Sequence, residues 1–149
     1  MHPKDLNLAF KLGPHFWADG CLALGYLASA RYRLGTWSAA DVMKAAPDVF
    51  RNAPTNTPKG SNLALVRRAA FAIPRVAARV PWRSDCLAQA VAGQRWLASL
   101  GIESTLSIGV RKTVEHGFEA HAWLKVGEES VTGGDVSTFS VLSMPPTSS

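Results

Sequence analysis

The chain has few cysteines, only two in 149 residues, and neither lies in a CxxC pair: the neighbourhoods read Gly20-Cys21-Leu22 and Asp85-Cys86-Leu87. A disulfide framework and a paired-cysteine zinc or redox site are therefore excluded, and reduced thiols in a cytoplasmic protein are the expectation. Long apolar runs are lacking too. The longest, Cys21 to Ala30, falls well short of the ~20 residues that span a bilayer. Ala28-Ser29-Ala30 resembles a secretory cleavage site, but Asp5, Pro14 and Asp19 interrupt the charge and apolar pattern that a signal requires. Charged residues are scarce at 18%, against the ~25% of soluble proteins, which argues against disorder. Acid is absent altogether from residues 49–84, which carry seven positive charges, while residues 1–48 sum to +1 and residues 85–149 to −3. No internal repeat is visible.

What the chain does have is a 47% hydrophobic share, enough in this length for one sizeable core and not two. One domain over residues 1–149 is expected, made of an N-terminal helical section and linker (1–60), a core (61–142) and a frayed tail (143–149). Phe16 to Arg33 carries apolar residues at helical spacing, and Ser38 with Asp41 three residues on resembles a capping box that opens a second helix. Pro47, Pro54, Pro58 and Gly60 mark a turn-rich linker. Leu63, Val66, Ala70 and Ile73 form one apolar stripe, with Pro74 expected to break or kink the helix and Val76–Val80 to resume it. Ser84 or Asp85 caps a further helix through Leu87, Val91, Gln94 and Leu97 that stops at Gly101. Two alternating segments, around Leu106–Val110 and Ala120–Val126, read as half-buried strands, followed by short strands near Ser130–Thr132 and Ser137–Leu142. The fold class is α+β.

Three residues carry possible chemistry. Cys86 falls in the first turn of a helix, where backbone N–H groups and the helix dipole favour the thiolate. His121 projects from the strand face opposite Ala120, Ala122 and Leu124 and suits a general base, 35 residues after Cys86. Asp135 follows the turn at Gly133-Gly134, where a carboxylate can accept the other imidazole N–H and fix the tautomer. Taken one at a time, the same residues also suit a small buried hydrophobe, a satisfied core histidine and a turn-forming aspartate. Cys21, in an apolar helix, reads as core. His116 reads as a solvated loop residue rather than a zinc ligand, and no metal site is expected. Nucleic-acid binding would need interleaved aromatics and a recognisable module, and neither is present.

Pro81-Trp82-Arg83-Ser84-Asp85-Cys86-Leu87, Leu100-Gly101-Ile102-Glu103-Ser104, Ile108-Gly109-Val110-Arg111 and Phe118-Glu119-Ala120-His121-Ala122-Trp123-Leu124 resemble successive motifs of the transglutaminase-like leader peptidases of lasso-peptide biosynthesis. The resemblance spans about Leu63 to Leu142. It implies a transglutaminase-like or papain-like cysteine protease core, with N-terminal helices and a small antiparallel sheet. It also implies Cys86 as nucleophile, His121 as general base and acid, and Asp135 as the residue that orients the imidazole, with the Cys86 backbone N–H as the default oxyanion donor. No glutamine precedes Cys86 in the papain manner. Trp82 and Trp123 are candidates for the peptide groove, with core packing as the alternative.

The implied activity is hydrolytic removal of the leader from a ribosomal precursor peptide, without a cofactor. An ATP-dependent macrolactam synthetase then closes the ring, and a separate leader-recognition protein delivers the substrate. Two alternatives keep part of this picture: a transamidating enzyme with the same triad, and a non-catalytic leader-binding subunit. The run from Arg67 to Arg83 is either a solvated helix face or a surface for an acidic leader or partner.

Overall fold

A computed structural model of the chain describes residues 14–36, 61–113 and 117–141. The expected helix opened by Ser38 and Asp41, the 47–60 linker, His116 and the 143–149 tail lie outside the described residues. The described residues form three helices, α1 (Pro14–Thr36), α2 (Ser61–Ala77) and α3 (Cys86–Ser99). They are followed by four strands, β1 (Thr105–Thr113), β2 (Gly117–Val126), β3 (Glu129–Thr132) and β4 (Ser140–Val141). The strands make one antiparallel sheet in the order β3-β2-β1-β4, so the architecture is α+β.

Side chains at alternate positions of β2, namely Ala122, Leu124 and Val126, join Leu106 and Val131 against the helices. Ala90, Ala92, Trp96 and Leu97 of α3, Val66, Ala69 and Ile73 of α2, and Ala23, Leu27 and Ala30 of α1 complete this core. Helix and sheet approach closely at Gly93, where an added Cβ would lie 2.8 Å from Leu124 Cδ2. Tyr26 stacks on Trp96 with centroids 6.1 Å apart and donates to Ser99 Oγ at 2.9 Å, which ties α1 to α3.

Two expectations are corrected here. Cys21 is exposed rather than in the core. The helix is apolar nearly all round, so hydrophobicity alone does not say which stripe turns inward. The small residues Ala23 and Ala30 with Leu27 take that place, because they let helices approach. Secondly, the arginine block is partly neutralised by its own chain. Arg68 forks onto the buried Asp19 through Nε at 2.8 Å and Nη2 at 2.6 Å, and that hydrogen bond raises the Arg68 pKa. Arg67 reaches Glu129 at 3.1 Å. Arg75 lies over the Phe71 ring, 3.5 Å from its centroid.

α2 runs through Pro74 without breaking and ends at Ala77, after which Val80 N–H donates to Val76 O at 3.1 Å in a turn. α3 ends in a Schellman arrangement: Ile102 N–H donates to Leu97 O at 2.9 Å and Gly101 N–H to Ala98 O at 3.0 Å. Among the described residues the last strand covers Ser140–Val141 and starts later than expected because Ser137 and Thr138 are taken up in a turn, while Leu142 lies outside the described residues. No helix among the described residues is long and apolar enough to cross a membrane.

Candidate active site

Asp85 is the N-cap of α3, with extended backbone (φ −67°, ψ 175°), and its carboxylate accepts from Ala88 N–H at 3.1 Å. That cap fixes Cys86 as the first helical residue. The N–H groups that open a helix have no intrahelical acceptor, so the Cys86 thiol stands in the positive field of the helix start. It is half-buried and packs against the edge of the core. Its Sγ accepts from Ala122 N–H at 3.5 Å. The reason lies in the sheet: β2–β3 pairing runs out at Leu124↔Thr132, so the N–H of Ala122 points past the end of β3 and finds sulfur instead of a strand.

His121, one residue earlier on β2, is half-buried and lies opposite Gly109 of β1. Its ring clusters with Trp123 and Phe139, with centroids 6.4 and 5.0 Å away. Nε2 is 2.8 Å from Gly133 O. A carbonyl oxygen has no proton to give, so in the neutral ring Nε2 carries the hydrogen and Nδ1 holds the free electron pair. The chain reaches this position because Gly133 adopts φ 101° directly against β2, where an added Cβ would lie 2.9 Å from Trp123 Cα and closer still to Trp123 Cβ. No side chain fits there.

Cys86 and His121 line one surface cavity of about 710 Å³ together with Gln89, Thr132, Gly133 and Gly134, and Ala70 and Pro74 of α2 also border it. Asp135 is exposed, and its carboxylate accepts from Ser137 N–H at 3.0 Å. That backbone hydrogen bond, with a further one from the Ser137 side chain, holds the Asp135 carboxyl below its ordinary value. The structure thus brings Cys86 and His121 to one cavity. It sets against the imidazole the carbonyl of Gly133, two residues before Asp135. Trp123 is buried at 5% exposure beneath Gly133 and beside Phe139, and neither Trp123 nor Trp82 is in the cavity lining. Trp82 Nε1, Ser84 Oγ and Thr132 Oγ1 are buried side-chain atoms without a hydrogen-bond partner. Among the described residues, no group of three or more His, Cys, Asp or Glu residues has an arrangement that could hold a metal ion.

Sequence reasoning passes over Gly133, Ala122 and Gln89. The first two act through backbone atoms, which carry no side-chain signal. The i+3 spacing of Gln89 from Cys86 was the available clue to the third, since residues so spaced share a helix face.

The family model of the transglutaminase-like superfamily matches residues 22–144, most of the chain and all of this site. The chain belongs to the transglutaminase-like superfamily. That superfamily includes cysteine proteases and transamidases and is typically made of cysteine-based enzymes. No curated protein and no solved structure matches the chain. In this transglutaminase-like chain, a thiol at a helix start and a histidine whose Nε2 is held by a backbone carbonyl line the same cavity, an arrangement suited to acyl transfer through sulfur.

Proposed function

We propose that this chain is a cysteine peptidase that removes the leader from a ribosomally made lasso-peptide precursor, freeing the amine on which a partner ATP-dependent macrolactam synthetase closes the ring. The observation that carries the reading is the meeting of Cys86, at the Asp85-capped helix start, with His121 in one cavity. The motifs around both residues, which resemble those of lasso leader peptidases, narrow the substrate. In the reaction His121 takes the Cys86 thiol proton, and the thiolate attacks the carbonyl carbon of the scissile bond and forms a C–S bond. Collapse of the tetrahedral adduct breaks the C–N bond, and the leaving amine takes a proton from His121. Water, deprotonated by His121, then attacks the thioester and releases the leader. Asp135 acts on His121 through the turn it braces with Ser137, two residues beyond the Gly133 carbonyl that holds the imidazole.

Mass spectrometry of the precursor, incubated with this chain and a leader-recognition protein, tests the proposal. Hydrolysis gives two fragments whose masses sum to that of the precursor plus one water, and Cys86→Ala gives none. A product in which an amine has replaced water would assign a transamidase instead. Cleavage by Cys86→Ala at the parent rate would refute the thiol mechanism.

A further inference from the structure

Gln89 lies three residues after Cys86 on α3, is half-buried and lines the same cavity. Its Nε2 donates to Ser84 O at 2.8 Å. Only the nitrogen of a carboxamide can donate to a carbonyl, so the chemistry fixes which way the group is turned. Long side chains on a helix lean toward its N-terminus, and that is why residue 89 reaches back past Cys86 to Ser84. A carboxamide nitrogen carries two hydrogens. Ser84 O takes one, and no acceptor among the described residues takes the second. Three residues earlier, the Cys86 N–H opens the same helix and has no intrahelical acceptor.

We propose that the second Nε2–H of Gln89 and the backbone N–H of Cys86 form the oxyanion hole of this site, an assignment that rests on Cys86 being the acyl-transfer nucleophile. When the thiolate adds to a carbonyl carbon, the C–S bond forms and the π pair of the C=O moves onto oxygen. The two N–H groups donate to that oxygen until the pair returns and the leaving group departs. The hydrogen bond to Ser84 is what makes the donor useful, because it holds the carboxamide in place before charge develops, so no reorganisation is needed at the moment of reaction. Sequence inspection alone looks for a glutamine upstream of the nucleophile. Here the donor comes from the following turn of the same helix.

Two small reagents separate this role from mere positioning. Iodoacetamide alkylates a thiolate by displacing iodide and develops no oxyanion, whereas p-nitrophenyl acetate acylates it through a tetrahedral oxyanion and releases nitrophenol. Cys21 is exposed and would react as well, so the parent for both assays is Cys21→Ser. Adding Gln89→Met keeps side-chain bulk and removes both donors. The expected result is a nitrophenol burst slowed about 10²-fold, the size typical of a lost oxyanion donor, with the Cys86 alkylation rate within about two-fold of the parent. Gln89→Leu, a second neutral variant without an N–H, is expected to show the same split. An unchanged burst, or equal loss in both reactions, would overturn the oxyanion role, the second outcome making Gln89 a support for the Ser84–Cys86 backbone only. A parent that is alkylated at Cys86 but gives no burst would instead overturn Cys86 as acyl-transfer nucleophile, and the oxyanion assignment with it.

Discussion

Replacing Gly133 by alanine tests whether a backbone carbonyl holds the imidazole. Gly133 has φ 101°, and the added methyl carbon would meet Trp123 at its backbone, 2.9 Å from Cα. Trp123 is paired to Ser107 within the sheet and cannot step aside. Backbone strain of this kind is worth about 1–3 kcal/mol, and the steric conflict adds to it, so a loss of about 2–4 kcal/mol is expected. Folded domains have about 5–15 kcal/mol in hand, so the variant folds. At about 2–4 °C per kcal/mol for a chain of this length, its melting temperature drops by about 4–16 °C. The turn relieves the conflict by moving away from β2, which stretches the 2.8 Å contact between Gly133 O and His121 Nε2. A hydrogen bond contributes about 0.5–1.5 kcal/mol net, equivalent to about 2- to 10-fold in rate. Alkylation of Cys86 in the Cys21→Ser background, followed against pH below the melting transition, reads this directly. A variant with the parent's melting temperature and alkylation profile would refute both the strain argument and the role of the carbonyl.

Asp135→Asn keeps an oxygen that accepts from Ser137 N–H and is expected to retain precursor cleavage within about 10-fold; a loss of about 10²-fold or more, as for a removed acid–base group, would mean that the carboxylate orients His121 directly. Because the Ser137 N–H favours the charged carboxylate, Asp135 is expected to titrate below the ordinary aspartate value in a carbon-detected NMR titration. Its small contribution to stability persists above the ordinary carboxyl value and fades on acidification through the lowered one, and Ser137→Pro, which removes the N–H, is expected to return the titration toward normal. Arg68→Met leaves the Asp19 carboxylate buried at 7% exposure without its forked partner. Urea unfolding is expected to show a loss of about 2–3 kcal/mol, less than the ~3–5 kcal/mol of a fully buried pair because the Arg68 side chain is 41% exposed; Asp19→Leu with Arg68→Met recovers most of it.

The parts of the fold legible in the sequence are those that depend on neighbours in the chain. The Asp85 cap and the Gly101 stop each arise from contacts within a few residues, and the structure has them in place; the strand over Ala120–Val126 is there too, but its alternation is broken, with Ala120 exposed and Trp123 buried under Gly133. What is not legible depends on residues far apart. Charge counting over 49–84 finds no acid, yet Asp19 and Glu129 supply two from 49 and 62 residues away. The inward stripe of α1 is decided by the shapes of α2 and α3, which an all-round apolar helix does not record, and Cys21 is misread for that reason. At the candidate site, spacing alone leaves Cys86 and His121 open to plain structural readings; the motif resemblance is what singles them out, and the structure places both on one cavity. The Gly133 carbonyl and the Ala122 N–H have no counterpart in side-chain chemistry, so their part emerges only when β3 is seen to leave β2.

The sulfur of Cys86 sits where the next rung of a strand ladder would be. Beyond Leu124↔Thr132 the edge of β2 has lost its neighbour, and an uncovered strand edge invites pairing with other chains. Cys86 closes that edge at Ala122. The amide hydrogen of Ala122 is consequently a reporter of what the thiol is doing: it is shielded from deuterium while sulfur accepts from it, and its exchange rate changes when the sulfur is alkylated, oxidised or carrying an acyl group. Occupancy of the nucleophile can then be followed residue by residue in deuterated water, without a chromogenic substrate.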